Sequence, residues 1–240
     1  MRLTVIGCSP AWPNAGGAQS GYLLEGDGKR LLLDCGPGVL ARLRASHGGW
    51  PRVDALAITH FHLDHWGDLV PWVFGAAFGP GRELPQPALW LPPGGRERLR
   101  DFGERMAFGA YTDMVFDIHE YGDDEPFTAA GFEVTPHRLD HYSELTFGLR
   151  VRNHAGTLAY SGDTGPTHRL VELARDADLF LCEATLKAPE PDERGHLTED
   201  EAVEASRSAG ARRLVVIHRP DELPLSPEVE RAADGDVLDV

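Results

Sequence analysis

The chain is poor in lysine, carboxamides, cysteine and long apolar runs, and each shortage narrows what it can be. Lys29 and Lys187 are the only lysines among 23 basic residues, and Asn14, Asn153, Gln19 and Gln86 are the only carboxamides. That usage fits either a biased genome or heat resistance. Against the 23 basic residues stand 38 acidic ones, a formal charge of -15. A broad electropositive surface for a large nucleic acid is therefore not expected, although a bound cation would make a cleft locally positive and open to a small anionic substrate. Cys8, Cys35 and Cys182 are scattered beside apolar residues or glycine, so they form neither a disulfide framework nor a Cys-x-x-Cys zinc motif; buried free thiols are expected. No segment is apolar enough to span a bilayer, and Met1 to Gly7 lack the apolar stretch of a signal peptide. A soluble, cytoplasmic protein is the expectation. At 240 residues with nothing resembling a linker, one domain over residues 1–240 is expected too.

What is present is a series of short apolar runs punctuated by turn residues. Residues 3–6, 21–25, 30–34 and 54–58 read as strands, and Pro37 to Ala45, with Val39, Leu40 and Leu43 at helical spacing, as a helix that packs one face on a sheet. A further helix is predicted to start near Asp64 and run past Leu69, with Pro71 marking either its first turn or a break. Arg96 to Met106 is a charged helix candidate. Strands are predicted near 114–120, 131–137, 145–152 and 156–161. An alternating pattern follows: helix 167–175, strand 178–182, helix 198–209, strand 213–217. The whole reads as two β-rich halves with flanking helices.

Between the fourth strand and the second helix stands Thr59-His60-Phe61-His62-Leu63-Asp64-His65. An extended segment sends alternate side chains to one side, so His60 and His62 can grip one ion. Asp64 and His65 are adjacent and diverge, which at a turn into a helix lets them face a second ion. Imidazole and carboxylate suit zinc, and also manganese or iron. A dinuclear site needs further ligands at the ends of later strands. Asp163 follows strand 156–161 at a glycine turn, where a carboxylate can bridge two metals. His218 ends the apolar strand Leu214 to Ile217, and His141 precedes strand 145–152, with His137 a competitor for the same role.

The order His-x-His-x-Asp-His, His, Asp, His, preceded by Leu31-Leu32-Leu33-Asp34-Cys35-Gly36-Pro37-Gly38, resembles the metallo-β-lactamase superfamily over essentially the full chain. The resemblance implies an α/β fold, the four-layer αβ/βα sandwich of two mixed β-sheets flanked by helices, with two divalent metal ions, zinc foremost, in a cleft at the sandwich edge. Carried over residue by residue, it implies His60, His62 and His141 on one metal, Asp64, His65 and His218 on the other, and Asp163 bridging. Asp34 either orients the histidine loop or merely caps a turn. The β-lactamases of this superfamily carry cysteine at a second-metal position where Asp163 stands, which disfavours them here.

Phe180-Leu181-Cys182-Glu183-Ala184-Thr185 and Gly195-His196-Leu197-Thr198 resemble the ribonuclease Z-like phosphodiesterase branch. There the histidine matching His196 contacts the scissile phosphate and protonates the leaving oxygen, with the residue matching Glu183 beside it. His196 also precedes a helix that Thr198 and Glu201 can close with a capping box, and the two roles are compatible. The tRNA-processing members carry a protruding arm, in many bacterial forms between the third histidine and the bridging aspartate. Only 21 residues lie between His141 and Asp163, already filled by two strands, so tRNA is not expected as a partner. Ser20-Gly21-Tyr22-Leu23, Phe147-Gly148-Leu149-Arg150 and Ala159 to Gly165 resemble compact bacterial members associated with cyclic-nucleotide phosphodiesterase activity. The implied chemistry is attack by a metal-bridging hydroxide, oriented by Asp64, with His196 and Glu183 assisting the leaving group. A lactone, thioester or β-lactam hydrolase on the same site is the alternative, or a non-catalytic ligand-binding accessory protein of this fold. Trp66, Trp72, Phe74 and Phe78 read as helix core or subunit interface, and since related enzymes pair through this region a homodimer is expected. His47, His119, His154 and His168 lack motif partners, and the loop Gly7 to Gly17 reads as a cleft wall.

Overall fold

Leu31-Leu32-Leu33 explains the layering. Consecutive side chains of a strand point to opposite faces. Here both faces are dry: Leu31 and Leu33 join an apolar cluster shared with a second sheet, whereas Leu32 joins one shared with helices. A strand covered on both sides reads as a continuous apolar run, as this one does.

The computed structural model describes residues 1–240. The first half comprises β1 (Arg2–Gly7), β2 (Gly21–Gly26), β3 (Lys29–Leu33), α1 (Val39–His47), β4 (Ala55–Ala57), α2 (Leu63–Trp66), α3 (Leu69–Phe78), β5 (Ala88–Leu91), α4 (Gly95–Arg105), α5 (Gly109–Val115) and β6 (Asp117–Glu120). The second comprises β7 (Phe127–Ala129), β8 (Phe132–His141), β9 (Glu144–Asn153), β10 (Gly156–Tyr160), α6 (His168–Ala174), β11 (Leu179–Glu183), α7 (Glu199–Ala209), β12 (Leu214–Ile217) and β13 (Glu230–Arg231). The last strand, β14 (Val237–Asp239), crosses back to pair antiparallel with β1. The two seven-stranded sheets run β14-β1-β2-β3-β4-β5-β6 and β13-β12-β11-β10-β9-β8-β7. Both are mixed: β3 to β6 and β10 to β13 pair in parallel, and the remaining pairs are antiparallel.

Three apolar clusters make four layers. Leu3, Leu24, Phe147 and Leu181 lie between the sheets. Leu56, Leu43, Trp72 and Leu99 seal α1, α3 and α4 onto the first sheet, and Phe180, Leu170 and Ala202 seal α6 and α7 onto the second. The expected αβ/βα sandwich is the observed fold. No helix is long and apolar enough to cross a membrane. The three cysteines are buried and free.

Three details differ from expectation or decide between alternatives. The stretch 114–120 is not one strand: α5 runs to Val115 and β6 begins at Asp117. The buried residues Gly109, Thr112 and Val115 recur every third position, a helical spacing hidden by the apolar run that follows. The helix after the histidine loop breaks at Gly67 and Asp68, and Pro71 lies in the first turn of α3, where an amide lacks an intrahelical partner anyway. Strand β5, set between Pro87 and Pro92, was not anticipated, nor were the short β7, β13 and β14.

Candidate metal centre

Parallel strands deliver the polar residues to one edge. Asp34 follows β3, the histidine loop follows β4, Asp163 follows β10, Glu183 ends β11 and His218 follows β12. Ligands at the carboxyl ends of parallel strands converge because the strands share a direction. His62 is still extended (φ -74°, ψ 141°), and α2 starts at Leu63, so the chain turns between His62 and Asp64.

That turn divides the loop as expected. His60, His62, His141 and Asp163 form one group and Asp64, His65, Asp163 and His218 another, with ligand atoms in each within 4.8 Å of one another. Asp163 is common to both. Its Oδ2 lies 3.8 Å from His60 Nε2, 3.8 Å from His141 Nε2 and 3.5 Å from His218 Nε2, while Oδ1 lies 3.2 Å from His65 Nε2. Asp64 Oδ2 sits 3.1 Å from His218 Nε2 and 3.4 Å from His65 Nε2. His137 is outside both groups and faces Asp124 at 3.3 Å, so His141 and not His137 stands beside the other candidate ligands. His47 and His168 meet partners within four residues, His119 meets Asp117 and stacks on Trp90, His154 meets Asp27, and none of the four joins either group.

The residues present fit two cations. His60 Nε2, His65 Nε2 and Asp163 Oδ1 are buried with no hydrogen-bond partner, which is costly for polar atoms unless an ion engages them. The donors are imidazole nitrogens and carboxylate oxygens, the set that zinc, manganese and iron accept. Burial, followed by the nearby His65, pushes His60 well below the usual histidine range, and burial also lowers His141, so both are neutral as ligation requires. Burial opposes ionisation of Asp163, but His218 and His65 outweigh it and hold the carboxyl well below the usual range. Burial likewise opposes a charge on His65, yet Asp163, Asp64 and Asp34 push it up; a bound cation satisfies the same field in place of a proton.

A second layer fixes the rings of His65, His141 and His218. Asp34 is fully buried and its Oδ2 accepts from His65 Nδ1 (2.7 Å), Thr59 Oγ1 (2.9 Å) and Tyr160 OH (2.6 Å), while Oδ1 accepts from Thr59 N (2.8 Å). Asp34 thus orients the histidine loop. With Nδ1 donating, His65 turns its Nε2 lone pair to the centre. His141 does the same by donating Nδ1 to the Gly195 carbonyl at 2.6 Å. Thr185 Oγ1 donates to Glu183 Oε2 at 2.7 Å and accepts from His218 Nδ1 at 2.9 Å. Thr185, Thr59 and Tyr160 stand inside the quoted motifs, but their contacts with the acids are not assigned by the sequence. Thr185 was legible in principle, two positions beyond Glu183.

Glu183 is fully buried and does not face the cleft. Its Oε1 accepts from His196 Nδ1 (2.8 Å) and Thr164 N (2.8 Å), and its Oε2 from the Thr185 hydroxyl and the amides of Thr185 (3.2 Å) and Leu197 (3.3 Å). Its partner His196 has its ring centroid 4.8 Å from that of His141 and 5.7 Å from that of His218. The capping box is also present: Glu201 N donates to Thr198 Oγ1 and Thr198 N to Glu201 Oε2. The cap thus fixes the segment that carries His196.

Two ligand groups sharing one aspartate, at the edge of a helix–sheet–sheet–helix sandwich, define a metallo-hydrolase. The chain belongs to the β-lactamase superfamily, whose domain model, described as a beta-lactamase superfamily domain, matches residues 29–219. An uncharacterised protein of Mycobacterium tuberculosis is 36% identical over 226 residues, covering 92% of this chain and 81% of the relative. A probable metallo-hydrolase of Bacillus subtilis, YhfI, is 30% identical over 227 residues, covering 92% and 87%. The crystal structure of YhfI superposes with a TM-score of 0.84 at 24% identity, covering 99% of each chain. Ribonuclease Z of Archaeoglobus fulgidus is 26% identical over 298 aligned positions, covering 99% of this chain and 95% of that one.

Proposed function

We propose that this metallo-hydrolase is a phosphodiesterase for a small phosphodiester, a cyclic nucleotide being the substrate class that fits best. The observation that carries the reading is the Glu183–His196 pair, which sets an imidazole beside His141 of one ligand group and His218 of the other. A departing ribose alkoxide is strongly basic and needs a proton, which an imidazole in that place can supply.

Each residue then has a task. His60, His62 and His141 would hold one divalent ion, Asp64, His65 and His218 the other, and Asp163 both. Two such ions supply Lewis-acid charge for a phosphoryl group and acidify water, zinc being the first choice and manganese or iron alternatives. Asp64 carries a carboxylate oxygen into the cleft that can orient the attacking water. Glu183 keeps His196 protonated at Nδ1, leaving Nε2 to deliver a proton to the leaving oxygen. The interval between His141 and Asp163 is filled by the antiparallel pair β9 and β10, so no arm for tRNA projects there. With a net charge of -15, this supports a small anion rather than tRNA as partner.

The test is a panel of cyclic nucleotides, linear diesters, a lactone and a chromogenic cephalosporin presented to metal-loaded protein. Diester turnover that disappears with a chelator and in Asp64→Ala is expected. Turnover of the lactone or cephalosporin alone, or of nothing, would overturn the reading.

A further inference from the structure

Tyr142 packs against both His141 of the candidate metal centre and the proposed acid His196, in a backbone conformation that tyrosine avoids. It opens the two-residue turn joining β8 to β9, where His141 pairs with Glu144, and its φ is 45°. In that region a β-carbon crowds the backbone, which is why glycine is usual in such turns. Large side chains held there point to a role at a site.

The contacts say which role. The Tyr142 hydroxyl donates to Glu190 Oε1 at 2.6 Å, and Glu190 Oε2 accepts from the Gly195 amide at 3.1 Å. The Gly195 carbonyl accepts from His141 Nδ1 at 2.6 Å. The tyrosine ring lies so close over Gly195 that a β-carbon there would stand 2.1 Å from Cε2. Its centroid is 5.0 Å from that of His141 and 5.7 Å from that of His196. Gly195, the residue just before His196, is therefore held at its N–H through Glu190, at its C=O by His141, and at its Cα by the ring.

We propose that Tyr142 is a positioning residue for His196: it clamps Gly195 between the β8–β9 turn and Glu190, and so sets the reach of the imidazole from the metal centre. The proposal rests on the reading of His196 as the proton donor. Gly195 is then glycine because the ring leaves no room for a methyl group, and Tyr142 is kept out of its preferred backbone region because the ring must lie there.

Three variants test this. Tyr142→Phe removes only the hydroxyl. Gly195→Ala pushes a methyl into the ring. Tyr142→Gly suits the turn, so it should fold, and it empties the space over Gly195. Each is measured by amide hydrogen exchange over residues 190–197, which needs no substrate, and by kcat and KM on two diesters, one losing p-nitrophenolate and one an alkoxide. Expected are faster exchange in Tyr142→Phe and Gly195→Ala, and an alkoxide kcat lowered about tenfold or more while KM stays put and the aryl ester suffers far less. Gly195→Ala placed on Tyr142→Gly should add almost nothing. Unchanged exchange with unchanged alkoxide turnover in Tyr142→Phe, or costs of Gly195→Ala and Tyr142→Gly that simply add, would overturn the proposal. If His196→Ala itself treats the two esters alike, the donor reading falls and the positioning role with it, while the exchange data still report whether the ring holds the loop.

Discussion

His196 donates its Nδ1 proton to Glu183 Oε1 at 2.8 Å, and this bond decides which nitrogen is left for the cleft. The carboxylate also accepts from the amides of Thr164, Thr185 and Leu197 and from the Thr185 hydroxyl. In Glu183→Gln an amide NH2 must replace one oxygen and face donors, so the imidazole loses its fixed orientation. We expect alkoxide-leaving diesters to be cleaved about a hundredfold more slowly, as in His196→Ala, with bis-p-nitrophenyl phosphate much less affected. Denaturant unfolding should show a loss of roughly 1–3 kcal/mol for the unsatisfied buried donors. Equal losses on both esters would argue against the pair as acid machinery.

The same pair sets a pH dependence. Burial opposes the charged form of His196, but Glu183 outweighs it and pushes the imidazole up to about 9. The group is raised, so the proton-donating form is present below that value and lost as pH rises through it. Dications in the centre would pull the value down, making about 9 a ceiling. Turnover of an alkoxide-leaving diester should therefore show an alkaline limb at or below that pH. The limb should be absent from the kcat profile of His196→Ala.

Legibility in the sequence followed the range of the signal. His60 to His65 is readable as a candidate metal loop because its donors are local, and their division between two clusters follows from alternation meeting a turn. His141 against His137 was not decidable, since both lie on β8; only the pairing of that strand with β9 brings His141 to the edge and leaves His137 beside Asp124. The αβ/βα layering was visible in doubly buried runs such as Leu31 to Leu33. Strand β5 was hidden because four residues between prolines carry no period. Thr59, Tyr160 and Thr185 lie within the legible motifs, but their hydrogen-bonding roles do not show there, because hydroxyls acquire meaning only from what the fold places beside them, here Asp34, Glu183 and His218. Tyr142 escaped for another reason: nothing local predicts a tyrosine at positive φ.

The aromatic set on the helices splits in two. Trp66 and Trp72 are buried, whereas Phe74 and Phe78, four residues apart on one face of α3, are 44% and 60% exposed, with Met114 of the adjoining α5 at 61%. We expect this face to close a homodimer. Light scattering behind size exclusion should give twice the 26.3 kDa chain mass for the wild type and the chain mass for Phe74→Glu/Phe78→Glu. A wild type that is monomeric throughout the micromolar range would dismiss the dimer.

Asp34 gives the clearest separation of metal binding from chemistry. It touches no ligand atom of the centre, yet its Oδ2 takes three donors, from His65 Nδ1, Thr59 Oγ1 and Tyr160 OH, all buried. In Asp34→Asn the side chain keeps one acceptor oxygen and turns an NH2 toward the remaining donors, so His65 loses the bond that fixes its tautomer. Removing such a partner weakens metal affinity by about 10–100-fold. Competition against a chromophoric chelator should show that loss in the variant, and its melting temperature should depend more steeply on added zinc, because stabilisation follows the ratio of free metal to dissociation constant. At saturating zinc the proposed ligands His60, His62, Asp64, His65, His141, Asp163 and His218 are all intact, so kcat should recover to within a fewfold of wild type. Failure of saturating metal to restore kcat would mean that Asp34 shapes the reacting geometry itself, and unchanged affinity would mean that His65 does not depend on it.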